Sequence, residues 1–568
     1  MVKSIFGPLF LVLVHQAVVA SAQTWCGKHY KAGSAVVAPG GNFPQPATIS
    51  SGSLLAFRCA PAIRPYLPED ATSTTGDVAI IVDTPITQKQ ISNASPITLS
   101  STTNPGNIDV SISINGKVVA TGAVPLNTTK HTLPFSLSSL TPRTQPYTIS
   151  CTATHGSQKF TATGSLSYLP TPPSTIGSVT KMDLRTGFLL ARPATGKGGP
   201  YAPVFPIGYY TQFDTYLAKD FTVPATLKSL GYNVIHPVPT LTNLTALDIV
   251  LDKMQAAGVY LMYDMRGTYM NATSVTEQVN RIKSRPNLLL WYTADEPDGT
   301  SDPLDATVKS SNLITSLDGG DGKGGAGYHP VSLVLNCQDY YFNEYSSGAD
   351  ILLQDAYPVG INATFSTVWK APCTPDFGDC GCDNCIGQFE DISTRMDEFR
   401  DRLFVNGWDR TKAVWTVPQG FGPESYWPRP PTGLEFVVES ILGINHGALG
   451  SVSWDDPTTA DIKSSGSLLA LAIPKIVPFL SNPATTFRQV TVSRVDFGLW
   501  SLNGQTLILG TNMNYSTQVI RILDLGLAIP PEGAITTILN VGSSAVDPAR
   551  GHFIFPSVAS GGFIVQTA

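Results

Sequence analysis

The chain has 568 residues, 42% hydrophobic and 14% charged, with a formal net charge of -6 at pH 7. This length predicts two to four domains, and the 50 glycines and 44 prolines indicate many turns and short strands. A negative net charge with no basic run argues against a nucleic acid or an anionic membrane as partner.

The first 22 residues have the pattern of an export signal. Lys3 gives the positive end, residues 5–19 the apolar segment, and Ala20-Ser21-Ala22 a small-residue cleavage site. We therefore expect a mature chain that begins at Gln23 and is secreted as a soluble extracellular protein.

Sequons and cysteines agree with export. The Asn-x-Ser/Thr sequons, each a candidate N-glycan site, are at Asn93, Asn127, Asn243, Asn271, Asn362 and Asn514. The eight cysteines form an even set, which predicts disulfides in an oxidising compartment, although the pairing cannot be read from the sequence. For the tight group at Cys373, Cys380, Cys382 and Cys385, zinc binding is the less favoured alternative.

Residues 23–180 are rich in Ser, Thr, Pro and Gly and contain short alternating apolar runs. The run at 108–114 has period two and is followed by Asn115-Gly116, a hairpin turn signal. We expect an N-terminal β-sandwich here, which either packs on the next domain or binds carbohydrate.

Residues 181–484 follow a proline-rich link and alternate between strand and helix patterns. Candidate strands are at 204–211, 232–239, 258–265, 287–293, 331–336, 350–356, 412–418 and 447–454. Candidate helices are at 224–230, 246–257, 274–284, 303–317, 389–404, 433–444 and 465–480. Eight strands over about 270 residues predict the α/β class and a (β/α)₈ TIM barrel, with a doubly wound open sheet as the alternative.

Polar and aromatic residues stand near the ends of most predicted strands, where the loops of a barrel build its site. Candidates for substrate contact or for holding the carboxylates are His236, Asp264, Arg266, Asp295, Tyr357, Gln419 and Trp454. The loop at 359–386 carries the cysteine group, and we expect it to wall one side of the cleft. No metal or dinucleotide motif is present, so no metal or cofactor is expected.

The most informative stretch is the apolar run at 287–294, which ends in Asp295-Glu296-Pro297. Carboxyl groups at the rim of an apolar strand are desolvated and repel each other, which raises the pKa of one of them. One of the two, Asp295 or Glu296, can therefore stay protonated near neutral pH and act as a general acid.

Residues 485–568 return to short strands such as those at 490–495 and 498–510. We expect a small antiparallel C-terminal β-sandwich.

Together, residues 205–209, Asp295-Glu296-Pro297, Trp454 and the flanking β domains resemble clan A glycoside hydrolases over about residues 200–480. The resemblance implies that Glu296 is the acid/base, in a motif that typically reads Asn-Glu-Pro and here begins with Asp295. It also implies a nucleophilic Glu at the end of strand seven, where this chain has Gln419, a neutral amide that cannot attack an anomeric carbon.

A second carboxylate is then needed from elsewhere. Asp355, in Asp-x-Tyr-Pro after strand six, is the first choice; the others are Asp264, Glu424, Asp455 and Asp456. A short separation from Glu296 would imply retention of the anomeric configuration, and a longer one inversion.

The resulting expectation is a secreted glycoside hydrolase that acts on an oligo- or polysaccharide, with Glu296 as acid/base and Asp355 as nucleophile or base. The alternatives are a non-catalytic carbohydrate-binding or cell-wall protein on a barrel scaffold, and a transglycosylase.

Overall fold

A computed structural model describes residues 24–46, 49–73, 76–101, 103–319, 325–531 and 533–566. The predicted export signal and the cleavage site before Gln23 lie outside these residues.

Eight parallel strands close into a barrel in their order along the chain, and the last strand pairs with the first. The strands are β1 (Ile207–Gln212), β2 (Val234–Val238), β3 (Tyr260–Asp264), β4 (Leu288–Asp295), β5 (Val331–Leu335), β6 (Ile351–Gln354), β7 (Ala413–Thr416) and β8 (Ser451–Asp456). They are apolar because the barrel interior covers one face and the helices cover the other. The predicted barrel is confirmed, and closure excludes the open-sheet alternative.

Each barrel strand is followed by one helix. The helices are α1 (Val223–Ser229), α2 (Leu244–Ala257), α3 (Ala272–Ile282), α4 (Ala306–Asp318), α5 (Phe342–Ser347), α6 (Glu390–Asn406), α7 (Gly433–Asn445) and α8 (Ala460–Leu480). Seven of the eight lie at predicted positions. Helix α5 was not predicted because its six residues are too few to show a helical period.

Helix α8 is long and apolar enough, by length and composition, to span a membrane, and it is the one such helix in the described part of the chain. Half of its most apolar window is buried inside the protein. It packs against α7 and the C-terminal sheet. Its apolar character is therefore explained by core packing.

Antiparallel sheets precede the barrel, as predicted. Their strands, grouped by sheet, are Lys117–Pro125, Asn107–Ile114, Tyr147–His155 and Gln158–Leu166; His131–Pro134, Ala79–Asp83 and Arg58–Pro61; Ile86–Lys89, Ile49–Leu55 and Ser95–Pro96; and Ala202–Val204, Phe188–Ala191, Thr180–Asp183 and Ile63–Arg64. Asn115 and Gly116 both have positive φ and join the hairpin that they predicted. The Cys59–Cys151 disulfide joins the first two of these sheets.

Antiparallel strands also follow the barrel. They form a five-stranded sheet of Thr486–Val492, Val495–Leu502, Gln505–Asn512, Ser560–Gln566 and Ile535–Val541, and a three-stranded sheet of Gln518–Arg521, His552–Phe555 and Ala545–Asp547. A separate apolar core that includes Phe497, Phe553 and Phe563 lies between them. This arrangement agrees with the predicted small C-terminal sandwich.

All eight cysteines are paired. The remaining disulfides are Cys26–Cys337, Cys373–Cys380 and Cys382–Cys385. The cysteine group at 373–385 thus forms two crosslinks, which leaves no thiolate there to bind zinc. The Cys26–Cys337 bond ties the hairpin of Thr24–Trp25 and Lys28–His29 to the loop after β5.

Candidate active site

A cavity of about 360 Å³ lies at the carboxyl ends of the barrel strands. Its wall is aromatic and acidic. The aromatic members are Trp25, Tyr30, Tyr210, Tyr357, Trp369, Phe421, Tyr426, Trp427 and Trp454, and the carboxyl members are Asp295, Glu296, Asp355, Asp379 and Glu424. Among the described residues, no lysine, arginine or histidine lines it. We call it the acidic cavity.

A larger hollow of about 690 Å³ lies where the N-terminal sheets meet the barrel. Among its described lining residues the single carboxyl group is that of Asp350, which is bound to Arg64 at 2.7 Å. The described lining of this hollow therefore holds no pair of acids available for chemistry.

Glu296 and Asp355 form a carboxyl pair at the floor of the acidic cavity. Glu296 follows β4 and Asp355 follows β6, so the pair bridges across β5. The two carboxyl groups lie beside each other, since one nitrogen atom of Asn336 is 3.0 Å from Glu296 Oε1 and 3.4 Å from Asp355 Oδ1. Glu296 has φ +52°, a left-handed backbone that costs a non-glycine residue roughly 1–2 kcal/mol. Such strain is common at functional sites.

The environment keeps one proton on this pair near neutral pH. Burial raises the pKa of Glu296 well above its ordinary value, and the neighbouring charge of Asp355 raises it further. Burial likewise raises the pKa of Asp355, to about 7. Two carboxyl groups this close cannot both ionise cheaply, so Asp355 loses its proton at a lower pH than Glu296 does.

Asn336, just after β5, holds the pair from one side. Its Nδ2 lies 3.0 Å from Glu296 Oε1 and 3.4 Å from Asp355 Oδ1. The indole Nε1 of Trp25 donates to Asn336 Oδ1 at 3.0 Å. Because an indole N–H can only donate, this bond fixes the amide with its own donor toward the carboxyl groups.

The backbone around Asn336 is also fixed. The buried Asp298 carboxyl accepts the N–H groups of Cys337 at 2.8 Å and Asn336 at 3.3 Å. Burial raises the pKa of Asp298 to about 7. Arg395 Nη1 donates to the carbonyl of Asn336 at 2.5 Å. Asn336 is therefore a preorganised donor.

A buried charge network lies beneath the cavity. Arg266 donates to Asp264 and to Asp295, each at 2.7 Å, and His236 contacts Asp264 at 2.6 Å. Burial opposes the charge of Arg266, but Asp264 and Asp295 outweigh it and raise the pKa of the guanidinium. Burial lowers the pKa of His236, so the imidazole is neutral despite Asp264. Tyr292 OH donates to Asp295 Oδ1 at 2.5 Å, which completes the support of Asp295.

The predicted site residues separate into two layers. Glu296, Asp355, Asp295, Tyr357 and Trp454 line the acidic cavity, as predicted from their places after strands. His236, Asp264, Arg266 and Gln419 do not line it. His236, Asp264 and Gln419 are at most 1% exposed, so the structure does not bring these three predicted residues to the cavity surface. Asp264 and Asp295 both accept hydrogen bonds from Arg266, and His236 contacts Asp264. The backbone N–H of Gln419 donates to the buried Glu439.

The alternative second carboxylates are less well placed than Asp355. Asp264 is neutralised by Arg266, Asp455 is bonded to Gln212 at 2.5 Å, and Asp456 pairs with Lys463 at 2.6 Å. Glu424 lines the cavity but is exposed, and its pKa is raised by partial burial and then by Asp455. Of these acids, Asp355 is the one that shares the Asn336 amide with Glu296.

Much of the aromatic wall was not predicted. Trp25 and Tyr30 come from the N-terminal hairpin region, and Tyr426 and Trp427 from the loop after β7. Trp369 and Asp379 come from the long loop after β6, which does wall the cavity as predicted. The pairing of Cys26 with Cys337 is the signal that would have brought Trp25 to the site.

No protein-family model and no curated protein sequence matches the chain. Several solved structures do match. A GH30 endoxylanase from Clostridium papyrosolvens C71 is 11% identical, with 64% of this chain and 97% of that chain covered and a TM-score of 0.38. A candidate alpha-galactosidase/melibiase from Bacteroides fragilis is 10% identical, with 92% and 99% covered and a TM-score of 0.40. A Parabacteroides merdae beta-glucuronidase is 10% identical, with 86% and 72% covered and a TM-score of 0.29. Similarity this low assigns no activity, and the chain is identified here by its fold, a closed (β/α)₈ barrel with flanking antiparallel sheets.

Proposed function

We propose that the protein is a glycoside hydrolase in which Glu296 is the general acid/base and Asp355 the opposing nucleophile. The observation that carries the proposal is the Glu296–Asp355 pair, which one Asn336 amide holds at the floor of a cavity with aromatic walls. Two carboxyl groups that differ in protonation are what glycosidic bond cleavage requires. Aromatic faces in turn suit the apolar faces of sugar rings.

The chemistry runs in two steps. In the first, Glu296 gives its proton to the glycosidic oxygen, the bond from that oxygen to the anomeric carbon breaks, and the Asp355 carboxylate bonds to the anomeric carbon. The alcohol leaves. In the second step, Glu296 takes a proton from a water molecule whose oxygen attacks the anomeric carbon, and the ester to Asp355 breaks. Both residues return to their starting states.

The closeness of the two carboxyl groups supports a retaining mechanism. Inverting enzymes keep their carboxyl groups about 6.5–9.5 Å apart to admit water, whereas retaining enzymes keep them about 5–5.5 Å apart. In this chain both groups lie within 3.4 Å of the same Asn336 nitrogen, which brings them closer together than an inverting pair.

We also propose that the enzyme acts outside the cell on an oligo- or polysaccharide. The export pattern of residues 1–22, the six sequons and the four disulfides support this location.

The test is hydrolysis of a panel of neutral glycans and aryl glycosides, with reducing ends measured. Glu296→Gln and Asp355→Asn keep the side-chain shapes, and each is expected to lower kcat by at least about 10³-fold. Glu424→Gln is the matched control, since Glu424 lines the same cavity outside the pair, and it should keep most of the activity. Full activity in Glu296→Gln, or loss only in Glu424→Gln, would contradict the assignment.

A non-catalytic carbohydrate-binding protein is the second candidate. It is favoured by one observation: the position after β7 carries the buried amide Gln419 instead of a carboxylate. This candidate predicts that wild-type protein binds a glycan of the panel without releasing products. Appearance of products larger than the substrate would indicate a transglycosylase.

A further inference from the structure

We propose that a second hollow, next to the acidic cavity, binds a further sugar unit of the substrate. The substrate is then an uncharged oligosaccharide that occupies both hollows. This inference rests on the proposed glycoside hydrolase function and adds a substrate class to it. The hollow is called here the loop hollow, because the loop at 359–386 forms most of its wall.

The loop hollow has about the same volume as the acidic cavity, 360 Å³. Trp25 and Asp379 line both spaces. The two hollows therefore adjoin, with the Trp25 side chain at their common border. A ligand bound over Glu296 and Asp355 can extend past Trp25 into the second space.

Disulfides and an ion pair hold the wall of the loop hollow in place. The Cys373–Cys380 and Cys382–Cys385 disulfides crosslink the loop at 359–386. The Cys26–Cys337 disulfide ties the N-terminal hairpin to the loop after β5, which contributes Gln338 to the wall. Lys28 of that hairpin forms an ion pair with Asp383 of the loop at 2.5 Å, with both side chains 4% exposed. A site already ordered before binding loses less conformational entropy when a ligand enters.

The chemistry of the lining suits an uncharged sugar. The positive charge of Lys28 is neutralised by Asp383, and Lys28 also donates to Asn384 Oδ1 at 2.7 Å. Gln338, Thr374 and Asn384 line the hollow with neutral polar groups, and Asn384 Nδ2 donates to Gln338 Oε1 at 2.8 Å. Each amide nitrogen carries a second N–H that can donate to a sugar hydroxyl, and Trp25 adds an aromatic ring. An anionic sugar would face Asp379, since Lys28, the one cation among the described lining residues, is already paired.

A metal is a poorer fit to the loop hollow. Asp383, Cys26 and Cys337 place ligand-type atoms near one another. However, both sulfur atoms are joined in a disulfide, and Asp383 is engaged by Lys28. This cluster therefore stabilises the wall of the hollow.

The test fills the loop hollow with Ala363→Trp, since Ala363 is on its wall. Val368→Trp is the matched control, because Val368 lies on the same loop, is 41% exposed and lines neither hollow. Two substrates of the sugar identified by the panel are compared: its glycosyl fluoride, whose leaving group is a single atom, and its linear tetrasaccharide. Binding of the tetrasaccharide to Glu296→Gln, with and without Ala363→Trp, is measured by calorimetry.

We expect Ala363→Trp to lower kcat/KM for the tetrasaccharide, and its affinity, by about tenfold or more, with the fluoride changed less than about twofold. Val368→Trp should change neither. Equal losses on both substrates, or no loss on either, would overturn the second site while leaving the hydrolase intact. If wild type cleaves neither substrate, the hydrolase proposal fails, and the calorimetry still decides whether the loop hollow binds the chain.

Discussion

Trp25→Phe should change the protonation of the carboxyl pair without touching either acid. Phenylalanine keeps an aromatic ring but removes the N–H that donates to Asn336 Oδ1. The amide then loses its fixed orientation, and its Nδ2 no longer points steadily at Glu296 and Asp355. The variant should fold, because the Cys26–Cys337 disulfide and the bonds of Asp298 and Arg395 to the same loop remain.

The size of the effect follows from the weakened hydrogen bond between the Asn336 amide and the carboxyl pair. A hydrogen bond to a charged group contributes about 1.5–3 kcal/mol, and one pKa unit corresponds to about 1.4 kcal/mol. A donor favours the ionised carboxylate, so its loss raises the pKa of the pair. The acid limb of the kcat/KM profile should therefore move to higher pH by about one unit.

The assay is kcat/KM against pH for wild type, Trp25→Phe and Trp408→Phe. Trp408 lies against the larger hollow, away from the acidic cavity, and serves as the control. A lower rate with an unshifted pH profile would show that Trp25 only shapes the cavity wall, and the reasoning about Asn336 would be refuted.

Three further outcomes are expected. Burial raises the pKa of Glu439, so the folded protein keeps this carboxyl protonated at a pH where the unfolded chain has lost the proton. The free energy of unfolding should therefore fall as the pH rises above the ordinary carboxyl pKa, by up to about 1.4 kcal/mol per pH unit. Glu439→Gln should flatten the dependence of Tm on pH, and an unchanged slope would contradict the role of Glu439. Because no basic residue in the described part of the chain lines the acidic cavity, a uronide should be hydrolysed at least about tenfold more slowly than its neutral counterpart, and equal rates would contradict the charge argument. The amide nitrogens of Asn93 and Asn514 already donate to the carbonyls of Val405 and Ser493. Glycopeptide mapping of the secreted protein should therefore find no glycan at these two sequons and a glycan at the four exposed ones. A glycan on Asn93 would contradict the argument that its hydrogen bond blocks glycosylation.

The barrel could be predicted because its strands are buried on both faces. Apolar runs bounded by turns and alternating with helical patterns gave strands within a few residues of those observed, and the end of β4 located Glu296. Asp355 followed from the same pattern at the end of β6.

The sequence could not predict which polar residues line the cavity and which lie buried beneath it. Side chains near a strand end point either into the barrel or toward the cavity, and spacing along one strand does not say which. His236 and Asp264 therefore looked like substrate contacts, although they support Arg266 from below. The aromatic wall was missed for another reason: Trp25 reaches Asn336 through a disulfide that joins residues 311 positions apart.

The central claim is that the carboxylate of Asp355 attacks a sugar activated by Glu296. Its most direct test is mass spectrometry of peptides after reaction with the 2-deoxy-2-fluoro glycosyl fluoride of the cleaved sugar, which slows the second step more than the first. We predict one fluoroglycosyl group on the peptide that contains Asp355. A label on Glu424 or another residue, or turnover with inversion and no label, would contradict the claim.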